Sequence, residues 1–437
     1  MNHASPARFL SAHEATATAP LLPLTSLLPI PPRRGRYAML LHQQLPAPRP
    51  ELVVSVIIPA KNEVTNLPAT LAALAAQTTL AGQPLPLGSF EVIVLANNCT
   101  DATAEVVRQQ AQRLPVLTLH VAELCLPAAK AHVGRARRLL MDEACARLEA
   151  VERPAGIIAS TDADTCVAPT WIAAIQAEIL AGADAVGGRI LTEITGRALQ
   201  PLRRIQVRDA AYRQLCARLE DLIDPTPIDP WPRHHQHFGA SLALTARAYR
   251  QVGGLPEVRF LEDEALCQAL RRQDLGLRHS PQVQVLTSAR REGRVEVGLS
   301  WQLREWLHMS RQQREPQVAS PAQLAALWQL RRQLRTYWAS KPSTESKLLA
   351  GRLGLPAELL LARVCRATTF GKLWDWVAKK GRLPVVAAMP LSLALRELPT
   401  LIKHFEQLSK PNEPAVNAQL ANTFPKGRAG RLRAVVR

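Results

Sequence analysis

Continuous apolar runs alternate with stretches of helical periodicity along the first part of the chain. The apolar runs are rich in β-branched residues, which is typical of strands buried on both faces of a sheet. They are LVVSVIIPA (52–60), FEVIVLANN (90–98), VLTLHVAEL (116–124) and AGIIASTDAD (155–164). The helical stretches lie between them, at 62–77, 100–114 and 131–150. This order predicts an α/β fold with a mostly parallel sheet flanked by helices.

The composition divides the chain into four segments. Residues 1–50 are rich in Pro, Ala, Thr and Ser, which predicts a disordered or extended tail. Residues 51–305 carry the α/β pattern, and residues 306–410 are predicted to form a basic, Trp-containing helical extension. Residues 411–437 are basic and lack apolar periodicity, which predicts a flexible tail.

No segment of the sequence has the pattern of a membrane-spanning helix. Leu383–Leu395 comes nearest, but it contains Pro384 and Pro390 and falls short of the ~20 apolar residues that a span needs. The N-terminal apolar run is interrupted by prolines and preceded by Glu14, so no signal peptide is predicted. The seven cysteines are scattered without a C-x-x-C pair, which favours a reducing compartment. We therefore expect a cytoplasmic protein.

The chain is strongly basic. It has 54 Lys and Arg residues against 36 Asp and Glu residues, a formal net charge of +18. Such an excess favours an anionic partner, which includes nucleic acid, a lipid surface or a phosphorylated substrate. The sequence has no RNA-binding or helix-turn-helix signature, so nucleic acid is disfavoured. The charge also leaves open a membrane role, in which the basic C-terminal helices contact the inner face of the membrane.

Polar clusters follow three of the predicted strands. They are Pro59-Ala60-Lys61-Asn62-Glu63, Asn97-Asn98-Cys99-Thr100-Asp101 and Thr161-Asp162-Ala163-Asp164. The carboxyl ends of parallel strands meet at one edge of a sheet, and ligands of open α/β sheets bind beyond that edge. Three separate segments therefore converge on one predicted binding edge.

Asp162 and Asp164 form a D-x-D motif at the end of the fourth predicted strand. Residues i and i+2 point the same way from a strand, so the two carboxylates would lie side by side. A cation near them would relieve their repulsion, and Mg²⁺ or Mn²⁺ prefers oxygen ligands of this kind. The alternative is a cap on the next helix, because Pro169 and TWIAAIQAEIL follow closely.

Four motifs, in this order, resemble those of family 2 glycosyltransferases with the GT-A fold: VSVIIPAKNEVTNL, EVIVLANNCTDAT, GIIASTDADTCVAPTWI and FLEDEAL. The resemblance covers residues 51–300 and implies a Rossmann-like sheet, a nucleotide-sugar donor and a bound Mg²⁺ or Mn²⁺. The chain is also similar to a bacterial subgroup that carries DPWPRHHQHFGASLALT. TSARREGR stands where many relatives have Q-x-x-R-W, which argues for a non-processive enzyme. The resemblance does not identify the acceptor.

The resemblance assigns the nucleoside-binding edge. Pro59, Ala60 and Glu63 match the first-strand motif that borders the nucleoside. Asn97 matches a position that is usually acidic and contacts the base or ribose. The contact here would be made by a neutral amide, which puts the usual uridine preference in doubt.

The resemblance also assigns the phosphate end of the donor site. The second Asp of D-x-D generally binds the metal, which gives the ion to Asp164. Asp162 would share the ion or contact the ribose or sugar. Lys130 and Arg137 match a helix region that approaches the donor phosphates. The alternative for these two is a solvated helix face.

Glu262 and Asp263 are the candidate catalytic pair, in RFLEDEALCQALRR. An inverting transferase needs a base that takes the proton of the acceptor hydroxyl, and a carboxylate can serve. The family places the base in an E-D pair, so Asp263 is the candidate base and Glu262 its neighbour. The alternative is the usual enrichment of acids in the first turn of a helix.

A histidine cluster follows Trp231. The i, i+1, i+3 spacing of His234, His235 and His237 does not place all three on one face of a strand or helix. His235, His237 and Trp231 are therefore predicted to line an acceptor pocket, with metal binding or packing as alternatives. His279 is a candidate late metal ligand, but its position favours a surface role.

Two other functions fit parts of the pattern. A nucleotidyltransferase would share the doubly wound sheet and the acidic metal site, but it usually needs a Gly-rich basic signature that PAKNEVTNL lacks. A non-catalytic basic adaptor would use the Arg-rich C-terminal helices to bind membrane or nucleic acid. The converging motifs favour a metal-dependent, inverting glycosyltransferase of the hexosyltransferase type.

Overall fold

The alternation of apolar and helical segments appears as strands and helices in the computed structural model, which describes residues 35–192, 194, 199–290 and 298–409. The strands are β1 Val54–Ala60, β2 Phe90–Asn97, β3 Thr118–Leu124, β4 Ile157–Ser160, β5 Thr165–Val167, β6 Ala185–Thr192, β7 Leu242–Thr245, β8 Leu277–Thr287, β9 Gln317–Ala319 and β10 Ala388–Pro390. The helices are α1 Arg36–Gln43, α2 Leu67–Ala75, α3 Thr103–Arg113, α4 Val133–Ala150, α5 Trp171–Leu180, α6 Gln200–Ile223, α7 Ala246–Gln251, α8 Glu262–Arg272, α9 Leu299–Arg311, α10 Pro321–Ala339, α11 Lys347–Leu353, α12 Ala357–Arg366, α13 Phe370–Lys380 and α14 Leu391–Ser409. Each predicted strand corresponds to one of β1 to β4.

The large sheet has the strand order β3-β2-β1-β4-β7-β6-β8-β5. Strand β1 runs parallel to β2 and to β4, β2 runs parallel to β3, and β6 runs parallel to β8. Strand β7 is antiparallel to both of its neighbours, and β5 is antiparallel to β8. The predicted α/β class with a mostly parallel GT-A type sheet is confirmed.

Neighbouring residues of the central strands face opposite cores. Ile57 of β1 packs with α4, α7 and α8, whereas Val56 and Ile58 pack with α2, α3 and α5. In β2, Ile93 packs in the same core as Ile57, and Val92 packs in the same core as Val56 and Ile58. Side chains alternate between the faces of a strand, so a strand covered on both sides must be apolar throughout. Each such residue stabilises the fold by about 1.5–3 kcal/mol.

Ordered structure begins before the predicted boundary at residue 51. Helix α1 lies inside the segment 1–50 that the sequence predicts to be disordered or extended. Its Leu41 is fully buried among residues of α4, and His42 lies 2.9 Å from the Glu143 carboxylate. Helix α1 has only 8 residues, too few for its periodicity to stand out, and packing against α4 supplies its stability.

The C-terminal helices pack on α6. Leu391 and Leu398 of α14 share an apolar cluster with Tyr212 and Leu219 of α6. A second cluster, which includes Leu334, joins helices α10 to α13. The helical C-terminal part is thus present as predicted, while the predicted tail at 411–437 lies outside the described residues. Within the described ranges no helix combines the length and apolar character that crossing a membrane requires.

Candidate active site

The loops that follow β1, β2 and β4 lie side by side at the carboxyl edge of the sheet. Ala60 at the end of β1 lies opposite Ala96 of β2, and β4 pairs with the other side of β1. Glu63 and Asp162 therefore come from neighbouring loops, and Asn97 lies beside them at the end of β2. Their convergence follows from the parallel strand order.

The D-x-D motif occupies the turn between β4 and β5. Helix α5 begins at Trp171 with Thr170 as its N-cap residue, so the interpretation of D-x-D as a helix cap is wrong. The Asp162 side chain is 37% exposed, whereas that of Asp164 is 11% exposed. Burial and the neighbouring charge of Asp162 raise the pKa of Asp164 to about 6. This turn concentrates negative charge that a nearby cation would stabilise.

Arg290 supplies such a cation from the protein itself. Its Nε lies 3.1 Å from Asp164 Oδ2, and its Nη1 and Nη2 donate to the two oxygens of Glu63 at 3.0 and 2.8 Å. The guanidinium therefore joins the loop after β1 to the D-x-D turn. Glu63, predicted to border the nucleoside, is buried in this ion pair.

Arg137 connects the other carboxylate of D-x-D to the candidate catalytic pair. Its Nη2 donates to Asp162 Oδ1 at 2.7 Å, its Nη1 donates to Glu262, and its Nε donates to Ser160 Oγ at 3.1 Å. The Arg137 side chain is 4% exposed, so the alternative of a solvated helix face is wrong for it. Burial alone would lower the pKa of Arg137, but the Glu262 and Asp162 carboxylates outweigh it and raise that pKa.

Asp263 is fixed by two backbone N–H groups. Gly239 N donates to Asp263 Oδ2 at 2.9 Å, and Glu264 N donates to Asp263 Oδ1 at 2.8 Å. Ser160, at the end of β4, donates from Oγ to the Gly239 carbonyl at 3.0 Å. The segment around Gly239 therefore links the D-x-D strand to the start of α8.

Gly239 also explains why this link needs a small residue. A Cβ atom on Gly239 would lie 2.4 Å from Arg137 Cζ, closer than packed atoms approach. The absent side chain leaves the space that the buried guanidinium fills.

The nucleoside-edge residues have different environments. Ala60 is buried in the core, so its side chain takes no part in the edge, and Pro59 is half-buried. Asn97 is buried, and its side-chain Oδ1 has no hydrogen-bond partner within the described part of the chain. Lys130 is exposed in a short 3₁₀ turn before α4. Asn97 thus presents an unused acceptor at the end of β2.

The histidines form part of a buried chain of hydrogen bonds. His237 Nε2 lies 2.6 Å from Glu264 Oε2, and His237 Nδ1 lies 3.1 Å from His279 Nε2. His279 Nδ1 in turn lies 2.7 Å from Asp229 Oδ2. The His279 side chain is 12% exposed, so the predicted surface role is wrong.

The remaining members of the predicted acceptor pocket do not join this chain. His235 Nδ1 has no hydrogen-bond partner in the described ranges, and burial lowers the pKa of His235 well below its ordinary value. The Trp231 ring is partly exposed beneath Arg218, whose Cζ lies 5.0 Å from the ring centroid. The described residues contain no group of three or more His, Cys, Asp or Glu side chains that could hold a metal ion.

Sequence reasoning missed the partners of several site residues. It found no partner for Arg290, and it gave no role to Asp229 or Glu264. Glu264 adjoins the E-D pair, which is a signal that could have found it. Asp229 is 50 residues from His279 along the chain, and no spacing rule predicts their contact.

The sheet and its flanking helices have the GT-A architecture, and a match to a family model supports a glycosyltransferase. Residues 55–231 match the family model described as Glycosyl transferase family 2, and they make up 177 of the 437 residues. The matched segment contains β1 to β4, the D-x-D motif and Arg137. This part of the chain resembles a family 2 glycosyltransferase domain, and the match covers less than half of the chain. No match to a curated protein was found.

Several solved structures resemble this chain at low identity. S. aureus TarS 1-349 in complex with UDP is 14% identical with a TM-score of 0.38, and the match covers 82% of this chain and 92% of that chain. In another TarS structure the match spans 46% of that chain, about half its length. The mannosyltransferase PcManGT from Pyrobaculum calidifontis, in complex with GDP-Man and Mn²⁺, is 17% identical with a TM-score of 0.35, covering 85% of this chain and 89% of that chain. Likenesses with TM-scores below 0.5 define neither donor nor acceptor.

Proposed function

We propose that this chain is an inverting, metal-dependent glycosyltransferase that moves a sugar from a nucleotide-sugar donor to an acceptor hydroxyl. The observation that carries the proposal is the contact of one buried guanidinium with both acidic motifs. Arg137 donates to Asp162 of D-x-D and to Glu262 of the E-D pair. A donor held at D-x-D therefore lies beside Asp263, as the reaction requires.

The nucleoside end of the donor is assigned to the loops after β1 and β2. Among the described residues Asn97 Oδ1 is buried without a partner, and an unpaired buried acceptor is costly unless a donor on the ligand pairs with it. An N–H group of the base or a ribose hydroxyl would serve. This supports a nucleoside contact at Asn97 through a neutral amide.

The donor set fits Mg²⁺ or Mn²⁺. Asp164 and Asp162 offer carboxylate oxygens, and burial together with the Asp162 charge raises the pKa of Asp164 to about 6. Asp164 would hold the ion, with Asp162 beside it and phosphate oxygens of the donor as further ligands. When bound, a divalent ion neutralises the charge that develops on the leaving diphosphate.

Asp263 is assigned the role of general base. The acceptor hydroxyl oxygen forms a bond to the anomeric carbon, the bond from that carbon to the diphosphate oxygen breaks, and the hydroxyl proton passes to the Asp263 carboxylate. The two backbone N–H groups fix the orientation of this carboxylate. Attack opposite to the leaving group inverts the anomeric configuration.

We assign different roles to Arg137 and Lys130, the two basic residues of the helix region. Arg137 is buried and fully engaged, so we assign it to positioning Asp162 and Glu262 rather than to direct phosphate binding. Lys130 is exposed near the start of α4 and keeps the proposed phosphate contact.

The acceptor side is assigned to the histidine segment. His235 Nδ1 has no partner in the described part of the chain, so it could bind a polar group of the acceptor. Trp231 is partly exposed and offers a flat apolar surface for a sugar or another acceptor. His237 is tied to Glu264, next to the proposed base. We also propose peripheral membrane contact through the basic C-terminal helices.

A donor screen tests the function. Thermal unfolding with Mn²⁺ and a panel of nucleotide sugars should show a raised midpoint for the true donor, because a ligand that binds the native state stabilises it. That donor should then yield nucleoside diphosphate when acceptor is supplied. Release of inorganic diphosphate from a nucleoside triphosphate and a sugar phosphate would instead show a nucleotidyltransferase.

A further inference from the structure

Arg290 already occupies one side of the carboxylate that the proposed function gives to the metal. Its Nε faces Asp164 Oδ2 at 3.1 Å, while its Nη1 and Nη2 donate to Glu63. The Glu63 and Asp164 side chains are 5% and 11% exposed and that of Arg290 is 29% exposed, so the pairing is partly buried. Salt screens a partly buried ion pair less than an exposed one.

A divalent cation on the same carboxylate would repel the guanidinium. Like charges a few ångströms apart interact strongly where water is excluded. Full ligation of a cation by Asp164 therefore requires Arg290 to move away from Oδ2. The reverse also holds, because Arg290 in its present position weakens the site for the ion.

We propose that Arg290 is an internal competitor for Asp164 that changes partner from this carboxylate to the donor diphosphate when a divalent cation binds. The inference rests on the proposed function, since it assumes that Asp164 is the metal ligand. The released side chain has the planar fork that suits phosphate oxygens. Metal and diphosphate would then bind cooperatively, because each favours the same displaced state of Arg290.

The test measures two affinities that should change in opposite directions. Mn²⁺ alone is titrated into wild type and Arg290→Gln, and free Mn²⁺ is followed by electron paramagnetic resonance. The variant should bind Mn²⁺ about tenfold more tightly, because the competing cation is gone. At saturating Mn²⁺, inorganic pyrophosphate should bind the variant about tenfold more weakly, since a forked phosphate contact is lost.

Control variants distinguish the proposed partner change of Arg290 from a general effect of removing a partly buried arginine. Arg331 also bridges two carboxylates, Asp224 at 2.5 Å and Glu220 at 2.8 Å, but it lies on α10, so Arg331→Gln should leave both affinities unchanged. Asp164→Asn added to Arg290→Gln should abolish the gain in Mn²⁺ affinity. If Arg290→Gln folds poorly because Glu63 loses its ion pair with Arg290, the double variant Arg290→Gln with Glu63→Gln replaces it.

Unchanged or weaker Mn²⁺ binding in the variant would overturn the proposal, and so would unchanged pyrophosphate binding. These titrations use no sugar donor, so they can fail while the transferase assay succeeds. Conversely, Mn²⁺ binding that responds to Arg290 and Asp164 would stand even if no nucleotide sugar were cleaved.

Discussion

Arg290 Nε lies 3.1 Å from Asp164 Oδ2, which places a protein cation against the carboxylate predicted to hold a metal. The two residues come from the segment after β8 and from the turn after β4. Their contact shows that the protein itself partly neutralises the charge of the site, and the same guanidinium also pairs with Glu63 from the loop after β1. A ligand that binds here must rearrange an existing ion pair.

Asp164 should be essential for metal-dependent transfer. Asp164→Asn keeps the shape of the side chain but removes its charge, and we expect transfer to fall by at least about 100-fold because the leaving diphosphate loses its counter-ion. The rate is measured as nucleoside diphosphate released at saturating Mn²⁺. The control Asp375→Asn removes an acid from α13, which pairs with Lys379 and Arg272, and should leave the rate unchanged. Activity retained by Asp164→Asn, or by wild type in excess chelator, would contradict the metal assignment.

Asp263 should affect the chemical step rather than donor binding. Asp263→Asn retains an oxygen that can accept the Gly239 N–H, so the fold is expected to persist. Loss of the general base should lower kcat by about 10²–10⁴-fold with little change in donor affinity. Glu257→Gln, an exposed acid in the preceding loop, is the matched control. If Asp263→Asn loses donor binding but keeps kcat, another residue must be the general base.

The buried pair of Arg137 and Glu262 should matter for stability as well as activity. Arg137→Gln leaves Glu262 buried without its cation, and removal of one partner of a buried pair typically costs about 3–5 kcal/mol. The free energy of unfolding is measured by urea titration. Arg250→Gln breaks an exposed pair with Glu149, 40% exposed on both sides, and should cost only about 0–1 kcal/mol. Equal losses in the two variants would refute the structural role of Arg137.

The Glu91–Arg147 pair should make the fold sensitive to acid. Burial alone would raise the pKa of Glu91, but the hydrogen bonds from Arg147, at 2.9 and 2.6 Å, outweigh it and lower that pKa to about 2. A carboxyl with a lowered pKa in the folded state stabilises the fold above its unfolded pKa of 4.5, and that contribution disappears as the pH falls towards 2. The full effect is about 3 kcal/mol.

Urea unfolding at several pH values between 6 and 3 tests this. The double variant Glu91→Leu with Arg147→Met replaces the pair by apolar side chains, so its stability should fall less steeply with acid than that of wild type. Parallel curves for the two proteins would show that the acid sensitivity arises at other carboxylates.

The sequence alone determined the fold class and the edge of the sheet where the site lies. Strands β1, β2 and β4 were predictable because a strand covered on both faces must be apolar at every position, and this pattern is local. The position of D-x-D at the end of β4 followed from the same reasoning. Periodicity did not find α1, because the stability of such a short helix comes from α4 and not from its own residues.

Only the tertiary structure decided which charges meet. Arg137 and Glu262 are 125 residues apart in the chain, and Arg290 and Glu63 are 227 apart, so no spacing rule connects them. The burial of His279 was likewise missed, because it depends on Asp229 and His237 packing around it. Backbone geometry fixes which residue types can form a strand, but the partner of a buried charge depends on how distant segments pack together.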